Sequence, residues 1–584
     1  MNSSIRSVQI LVDLVKQFNI SDVVLSPGGS DIPIIHAIET DPAFTTYSVV
    51  DERSAAYFAM GMAQIKGRPV ACVCTSGTAV CNYLPGITEA YYQDVPVLAI
   101  TADKNPYYQS QLETQKIEQT RIFNGVIKKA VNLPLINNAE DEWLCNRLVN
   151  EALLELTHHG TGPVHINIPI VGRTDLYNED DIKSERKISI YDTNSIKGAL
   201  NVFDYLNGKS IMVVVGQNIE FDQRMISLLD EFYKKTDCIY ATEHLSNLSC
   251  DGCINTYPIS EMCGLDALGV LQPDIIISIG NNLTAYNLKP FLRSRYQSIE
   301  NWLINESGTV RDAYKSLTTI FEMPIQIFFE LANTHLAERD SASGTYYSRW
   351  KELLKKVKIP EFDFSNLYVA ERLARIIPKN SILHLAILNS TRIMQFFDLA
   401  ENVKTYSNVG ALGIDGCVST FAGHAASTEE LCYLVIGDLS FFYDMNAAGL
   451  RSISPNVRII LLNNCGGSEF HFFLGKQKIP SINDYISAEH SKVAAGWAVS
   501  LGYDYYCVSD KKSFDAIIDH FGEKSDKPMF MEIITDMEED ASITKDFYKM
   551  NAVESKSTRI KSIIKKIVSD EMIEKARTII RSVK

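Results

Sequence analysis

No stretch of the chain approaches the roughly 18–20 uninterrupted apolar residues of a membrane-spanning helix, so no span is expected. A surplus of positive charge is also lacking. Lys and Arg number 56 against 71 Asp and Glu, a formal net charge of −15, which argues against a nucleic-acid partner for the body of the protein. The opening MNSSIRSVQILVDLVKQFNI lacks the charged, apolar and small-residue layout of a signal peptide. Instead Val8, Leu11, Leu14, Val15 and Phe18 recur at helical spacing and predict a packed amphipathic helix. Ordered cysteine spacing is missing as well. The twelve cysteines are scattered, several inside apolar runs such as Val70-Ala71-Cys72-Val73-Cys74, as free, buried thiols of a reducing compartment are. A cytoplasmic location follows as the expectation. Cys250-Asp251-Gly252-Cys253, with Cys238 and Cys263 nearby, is a single loose CxxC and is set aside as a zinc site.

What is present is an ordinary globular composition, 46% hydrophobic and 22% charged over 584 residues. That length exceeds one hydrophobic core and predicts several domains. Short apolar, β-branched runs alternate with helix-patterned stretches, the pattern of parallel α/β layers. The first block has strand candidates at 22–25, 69–74, 95–101 and 162–169, and the polar, acidic stretch Arg173 to Lys187 reads as a linker. The middle block has strand candidates at 211–215 and 275–279, and the third at 433–436, 457–462 and 529–534. From about Lys545 the composition changes, with eleven Lys or Arg against five Asp or Glu. Ile560, Ile563, Ile564, Ile567 and Ile573 begin a helical stripe with basic faces. Such a tail can touch an anionic membrane, but a terminal helix docked on its own protein is the favoured reading.

The chemistry concentrates in two places. Gly437-Asp438-Leu439-Ser440 ends one predicted strand and opens a helix, and Asn463-Asn464, 24 residues after Leu439, ends the next strand. Neighbouring strand ends meet at the carboxyl edge of a parallel sheet, where ligands bind. One carboxylate, one amide oxygen and a nearby backbone carbonyl there suit Mg²⁺, which takes oxygen ligands and completes its shell with phosphate. The adjoining helix N-terminus offers amides to the same phosphates. The second place is Val49-Val50-Asp51-Glu52-Arg53-Ser54-Ala55-Ala56, a glutamate between a strand end and a small-residue helix. Alone, Glu52 reads as a helix-start carboxylate satisfying free amides.

These words together resemble the three-domain thiamine diphosphate enzymes that include acetolactate synthase and pyruvate decarboxylase. The match extends over nearly the whole chain to about Asp540. Within that family the chain is most similar to the MenD enzymes of menaquinone biosynthesis, 2-succinyl-5-enolpyruvyl-6-hydroxy-3-cyclohexene-1-carboxylate (SEPHCHC) synthases. The matching words are Leu25-Ser26-Pro27-Gly28, Asp51-Glu52-Arg53-Ser54, Thr75-Ser76-Gly77-Thr78 with Asn82-Tyr83, Thr101-Ala102-Asp103, Thr114-Gln115-Lys116-Ile117, Gly413-Ile414-Asp415-Gly416, Gly437-Asp438-Leu439-Ser440 and Asn463-Asn464 with Gly466-Gly467.

The resemblance implies an α/β fold of three doubly wound parallel-sheet domains: pyrimidine-binding (PYR) at 1–180, middle Rossmann-like at 190–355 and diphosphate-binding (PP) at 365–540. The basic helical tail at 545–584 follows. It implies thiamine diphosphate and Mg²⁺ as cofactors, and a homodimer or dimer of dimers because the cofactor bridges PYR and PP domains across subunits. By position, Glu52 bonds a pyrimidine nitrogen of the cofactor and favours its imino tautomer. Asp438, Asn464 and the carbonyl of Gly466 hold Mg²⁺. Thr78, Ser390, Gly413, Gly437, Leu439 and Ser440 meet the cofactor, with Ile414 propping its bend. Gln115 reaches the reacting carbon, and Phe470 walls the pocket.

The departures concern substrates. MenD binds 2-oxoglutarate and isochorismate, both dicarboxylates, with basic side chains. Here the family's arginine after Ser-Pro-Gly-Ser is replaced within Gly28-Gly29-Ser30-Asp31, its Thr-Ala-Asp-Arg ends in Lys104, and its Asn-Arg-Gly is Asn408-Val409-Gly410. A further arginine aligns with Met394, with Arg392 one turn away. A Lys-Arg pair becomes Tyr286-Asn287, and an apolar pocket position becomes Glu469. Charge-assisted contacts contribute about 1.5–3 kcal/mol each. The expectation is therefore a decarboxylating carboligase acting on a 2-oxo acid with a different acceptor, a sugar derivative being one choice. The alternatives are a true MenD, a simple 2-oxo acid decarboxylase and a non-catalytic cofactor-binding paralogue. His165 reads as a core histidine and Asp103 as a turn residue.

Overall fold

The computed structural model describes residues 2–171, 177–178, 184–217, 219, 221–262, 268–338, 345–451, 453–473, 479 and 481–552. Cys263, parts of the predicted linker and the basic tail from 553 onward lie outside the described residues. The chain divides into two compact units, residues 1–192 with 308–322, and residues 193–307 with 323–584. Three parallel sheets flanked by helices carry the architecture. Among the described residues, no helix is long and apolar enough to cross a membrane.

In the first unit a six-stranded sheet runs, edge to edge, Thr45–Ser48, Asp22–Ser26, Val70–Cys74, Val97–Asp103, Val164–Pro169, Lys129–Asn132, with every pairing parallel. The inner strands are buried along their whole length, as β-branched and small apolar runs covered on both faces must be. The predicted N-terminal helix forms at Arg6–Gln17, and Val8, Leu11, Leu14 and Val15 face the core. Part of the predicted linker is ordered structure. Tyr177–Asn178 pairs with Asn2–Ser3, and Arg186 bonds Asp312 Oδ2 at 2.6 Å.

Asp51 caps the helix Glu52–Lys66, its Oδ1 accepting from the backbone amides of Arg53 and Ser54 at 2.9 and 3.3 Å. Ala55, Ala56, Ala59 and Ala63 form the buried stripe of that helix, against which Thr78–Tyr92 packs. The approach is close because Gly86 has no side chain: a Cβ there would stand 2.6 Å from that of Ala56. The strand order reverses between Asp22–Ser26 and Val70–Cys74, which opens a crevice at their carboxyl ends. Asp31 lies on that loop, fully buried, with Oδ1 accepting from Gly28 N at 2.8 Å and Oδ2 without a hydrogen-bond partner. Burial, with a contribution from the Glu52 charge, pushes its carboxyl up to about 7.

In the second unit, five parallel strands run Cys253–Asn255, Ile239–Thr242, Ile211–Val215, Ile275–Ile279, Glu300–Ile304. This is the 3-2-1-4-5 order of a Rossmann-like layer. A six-stranded sheet follows: Lys404–Tyr406, Ile382–Leu385, Cys432–Gly437, Val457–Asn463, Met529–Ile534, Asp504–Val508. Counted in chain order, both six-stranded sheets read 2-1-3-4-6-5. The reversal in this sheet falls between Ile382–Leu385 and Cys432–Gly437, so the loops after Leu385 and Gly437 flank its crevice.

Two outcomes test this packing. Gly86→Ala forces the two helices apart and lowers stability by about 1–3 kcal/mol, read as a fall in the urea midpoint. Asp31 is held protonated by the fold while an unfolded aspartate ionises near its ordinary 3.8. Its contribution is therefore favourable at low pH and is lost as pH rises from about 4 to about 7. Asp31→Asn removes that component, so the variant gains stability relative to the parent between pH 5 and pH 8 in paired denaturation curves.

Candidate active site

The candidate residues fall into two sets, one in each unit. In the first unit they line the carboxyl ends of neighbouring strands. Ser30 N donates to Thr75 Oγ1 at 3.1 Å, and Ser30 Oγ lies 3.2 Å from Ser76 Oγ. Gly28 allows this, since a Cβ there would sit 2.3 Å from that of Thr75. Gly77, at φ +85, precedes the helix that Thr78 opens, and Gln115 passes beside it, its Cα 3.4 Å from where a Gly77 Cβ would be. Gln115 itself takes the left-handed conformation at φ 56, a local cost that a functional loop can carry. Gly29 has open space around it. Lys104 bonds Glu113 Oε1 at 3.1 Å and Thr114 Oγ1 at 3.2 Å, so its charge is partly spent locally.

Glu52 is the first residue of its helix, but the cap is Asp51. The helix-start role is therefore filled by its neighbour. The carboxylate of Glu52 accepts from Asn82 Nδ2 at 3.0 Å, which fixes it from the adjacent helix. Beneath this set Gln119 Oε1 accepts from Gly77 N at 2.9 Å, and its amide donates to the carbonyl of Ala102 and to Asn167 Oδ1. Asp103 pairs with buried Lys116 at 2.6 Å and accepts from Lys104 N. His165 lies in the core, 2.7 Å from Thr101 Oγ1 and edge-on to Phe123, and burial pulls its pKa down to about 3.

In the second unit Gly437 ends a strand, and Asp438 begins the helix Asp438–Asp444 at the reversal of the sheet. Asp438 is 2% exposed. Its Oδ1 accepts from Leu439 N at 2.6 Å and its Oδ2 from Gly466 N at 2.9 Å. Burial raises the carboxyl to about 7 despite these backbone donors. His490 Nε2 is 3.5 Å from Oδ2, but burial and Lys492 lower the pKa of that imidazole and leave it a poor counter-charge. Asn464 donates Nδ2 to Asp540 Oδ2 at 3.2 Å, which leaves its amide oxygen as the free end. Gly466 is required: at φ +155, a Cβ would meet the Ser487 carbonyl at 2.8 Å. Asn463 belongs to the interior, donating to Glu532 Oε1 and the Lys492 carbonyl.

Ser440 Oγ donates to the carbonyl of Ile414 at 2.8 Å, tying the Gly413-Ile414 loop to the Asp438 helix beside partly exposed Leu439. Ser390 is buried in the first turn of Asn389–Met394. From that helix Arg392 reaches Glu469 Oε1 at 3.0 Å and lies 4.4 Å over the Tyr286 ring. Burial lowers the Arg392 pKa, but Glu469, Tyr257 and Tyr286 outweigh it and hold the guanidinium above its ordinary value. Phe470 is 41% exposed, its ring against Gly467. Sequence spacing gave no sign of Asn82, Gln119, His490 or Asp540 as partners, because each acts on a residue distant in the chain.

Residues 5–122 match the thiamine pyrophosphate enzyme N-terminal TPP binding domain. The chain is 37% identical over 568 residues to the 2-succinyl-5-enolpyruvyl-6-hydroxy-3-cyclohexene-1-carboxylate synthase of Bacteroides thetaiotaomicron, covering 94% of this chain and 99% of that protein. The same-named proteins of Bacteroides fragilis and Flavobacterium johnsoniae are 36% and 29% identical, each over 565 residues. They cover 94% and 93% of this chain and 99% and 98% of their own. With a strand-end carboxylate and amide at one sheet reversal and a pinned glutamate beside another, the chain belongs to the thiamine diphosphate-dependent enzymes of 2-oxo acid chemistry, in the family of these synthases.

Proposed function

We propose that this enzyme is a SEPHCHC synthase, taking CO₂ from 2-oxoglutarate and joining the remaining four-carbon unit to isochorismate. The observation that carries the proposal is the 37% identity spanning 99% of a synthase of that name. It moves the reading away from a sugar-like acceptor and toward the alternative of a true MenD.

The residues fit the cofactors. Asp438 is a carboxylate whose pKa burial raises to about 7. Asn464 directly follows the neighbouring strand and Gly466 N bonds the carboxylate, so an amide oxygen and a backbone carbonyl from that segment would complete an oxygen set suited to Mg²⁺. Asp438, Asn464 and the Gly466 carbonyl would hold the ion, while Ser390, Gly437, Leu439 and Ser440 would take the diphosphate, with amides of the Asp438 helix assisting. Gly413 and Ile414 would support the ring system, and Thr78 would contact the pyrimidine end. Bound thiamine diphosphate supplies the nucleophilic carbon and the electron sink for decarboxylation. Glu52, steadied by Asn82, would share a proton with a pyrimidine nitrogen, and Gln115 would orient the donor acid. The Glu52 and Asp438 sets lie in different units, and a homodimer or dimer of dimers would let the two sets meet across subunits.

A second reading, a different acceptor, is favoured by one observation: the charge of Arg392 is engaged by Glu469. Product analysis with 2-oxoglutarate and isochorismate separates the two. Coupled consumption of both with CO₂ release is expected, and CO₂ release without isochorismate consumption would overturn the first reading. Glu52→Gln should lower kcat by about 10²–10⁴-fold, read as CO₂ release under saturating cofactor. Arg392→Met should raise KM for a dicarboxylate substrate by about 10–100-fold if Arg392 is a carboxylate ligand. An unchanged KM would mean that Arg392 serves Glu469 instead.

A further inference from the structure

Outside the candidate active site, the turn after the helix Ala139–Glu155 carries two consecutive histidines, and both face one carboxylate. His158 Nε2 lies 2.7 Å from Glu322 Oε2, and His159 Nε2 lies 2.9 Å from Glu322 Oε1. One ligand atom from each of the three residues falls within 4.8 Å of the others. Two imidazoles and a carboxylate are a donor set for a divalent transition metal. Behind the first imidazole, His158 Nδ1 is 3.0 Å from Glu155 Oε1. A carboxylate in that position fixes the tautomer that presents Nε2 to a metal and orients the ring.

The backbone is shaped around the same point. His159 takes the left-handed conformation at φ 52, and its ring meets the same Glu322 carboxylate that His158 meets. Lys128 Nζ donates to the His158 carbonyl at 2.6 Å and secures the turn. From the other segment of this unit comes Gly308, at φ +63. A Cβ there would stand 2.6 Å from both Glu322 Oε2 and His158 Nε2, so glycine is what leaves the space beside this pair open. The His159 side chain is 63% exposed, while those of His158 and Glu322 are 13% and 12% exposed. The site is thus buried on the His158 and Glu322 side and exposed on the His159 side.

We propose that His158, His159 and Glu322 form a binding site for a zinc-class divalent metal ion, which clamps the Gly308–Glu322 segment onto the end of the Ala139–Glu155 helix. The hydrogen bond at each Nε2 is exchanged for a metal bond, and Glu322 changes from acceptor to ligand. The ion binds the complete ligand set only in the folded arrangement, because Glu322 lies 164 residues from His158, so it stabilises the fold by mass action.

The test uses the untagged full chain, saturated with Mg²⁺ and thiamine diphosphate and dialysed against dilute Zn²⁺. Cys250 and Cys253, with sulfurs 3.5 Å apart, can take zinc in every variant, so the readout is a difference between proteins. His159→Ala, at an exposed position, and Gly308→Ala, which keeps all three ligands but fills the gap, should each hold about one zinc fewer per chain than the parent. Zinc should also raise the melting midpoint of the parent more than that of either variant. Equal zinc content in the parent and His159→Ala would overturn the proposal.

Discussion

Burying the carboxylate of Asp438 is the constraint around which the second unit is arranged. A charge at 2% exposure has lost nearly all its water, and desolvating a carboxylate costs several kcal/mol unless something replaces that water. Backbone amides of Leu439 and Gly466 replace part of it, yet the pKa still rises to about 7. The surroundings follow from this need. The strand Cys432–Gly437 delivers the carboxylate to the sheet reversal, and the neighbouring strand delivers Asn464. Cys465 and Gly466 then take left-handed and glycine-only conformations to turn an amide inward. The result is a carboxylate at a sheet reversal that is desolvated and held by backbone amides.

The two six-stranded sheets solve the same geometric problem with the same strand order, 2-1-3-4-6-5. Each therefore has a reversal between its first and third strands, and the candidate loops lie at it in both: Ser26 to Asp31 and Thr75 to Thr78 in one, Asn389-Ser390 and Gly437 to Ser440 in the other. The Gly86–Ala56 contact sets the distance between the helix bearing Glu52 and the helix bearing Asn82.

Much of this was legible in the sequence because strands buried on both faces announce themselves. Ile211–Val215, Ile275–Ile279 and Met529–Ile534 appear with the predicted bounds, and the Gly-Asp turn and the Asn pair fall at neighbouring strand ends. Local pattern suffices where local sequence decides the structure. It failed where a side chain's role is set by a partner distant in the chain. Nothing near Glu52 in sequence predicts Asn82 as its anchor, and nothing near Asn464 predicts Asp540. Likewise the polar run after Arg173 reads as a linker by composition, yet Arg186 is pinned to Asp312 from a segment far along the chain.

The same distinction explains why cofactor chemistry is easier to read than substrate identity. Residues proposed to meet the cofactor are fixed by backbone geometry, as with Gly466 against the Ser487 carbonyl, so their identities are restricted. Several residues proposed to meet the substrate, Gly29, Ser30 and Lys104, lie on loops where one side chain can be exchanged for another at small structural cost. Gly29 has open space around it, and the Lys104 side chain bonds Glu113 and Thr114 of its own loop. Arg392 and Glu469 form a pair in which either partner is legible only with the other. A count of missing arginines treats each loop position as independent. The Arg392–Glu469–Tyr286 cluster shows instead that charge and its compensation are shared across segments, so the charge at one aligned position cannot be read without its partners.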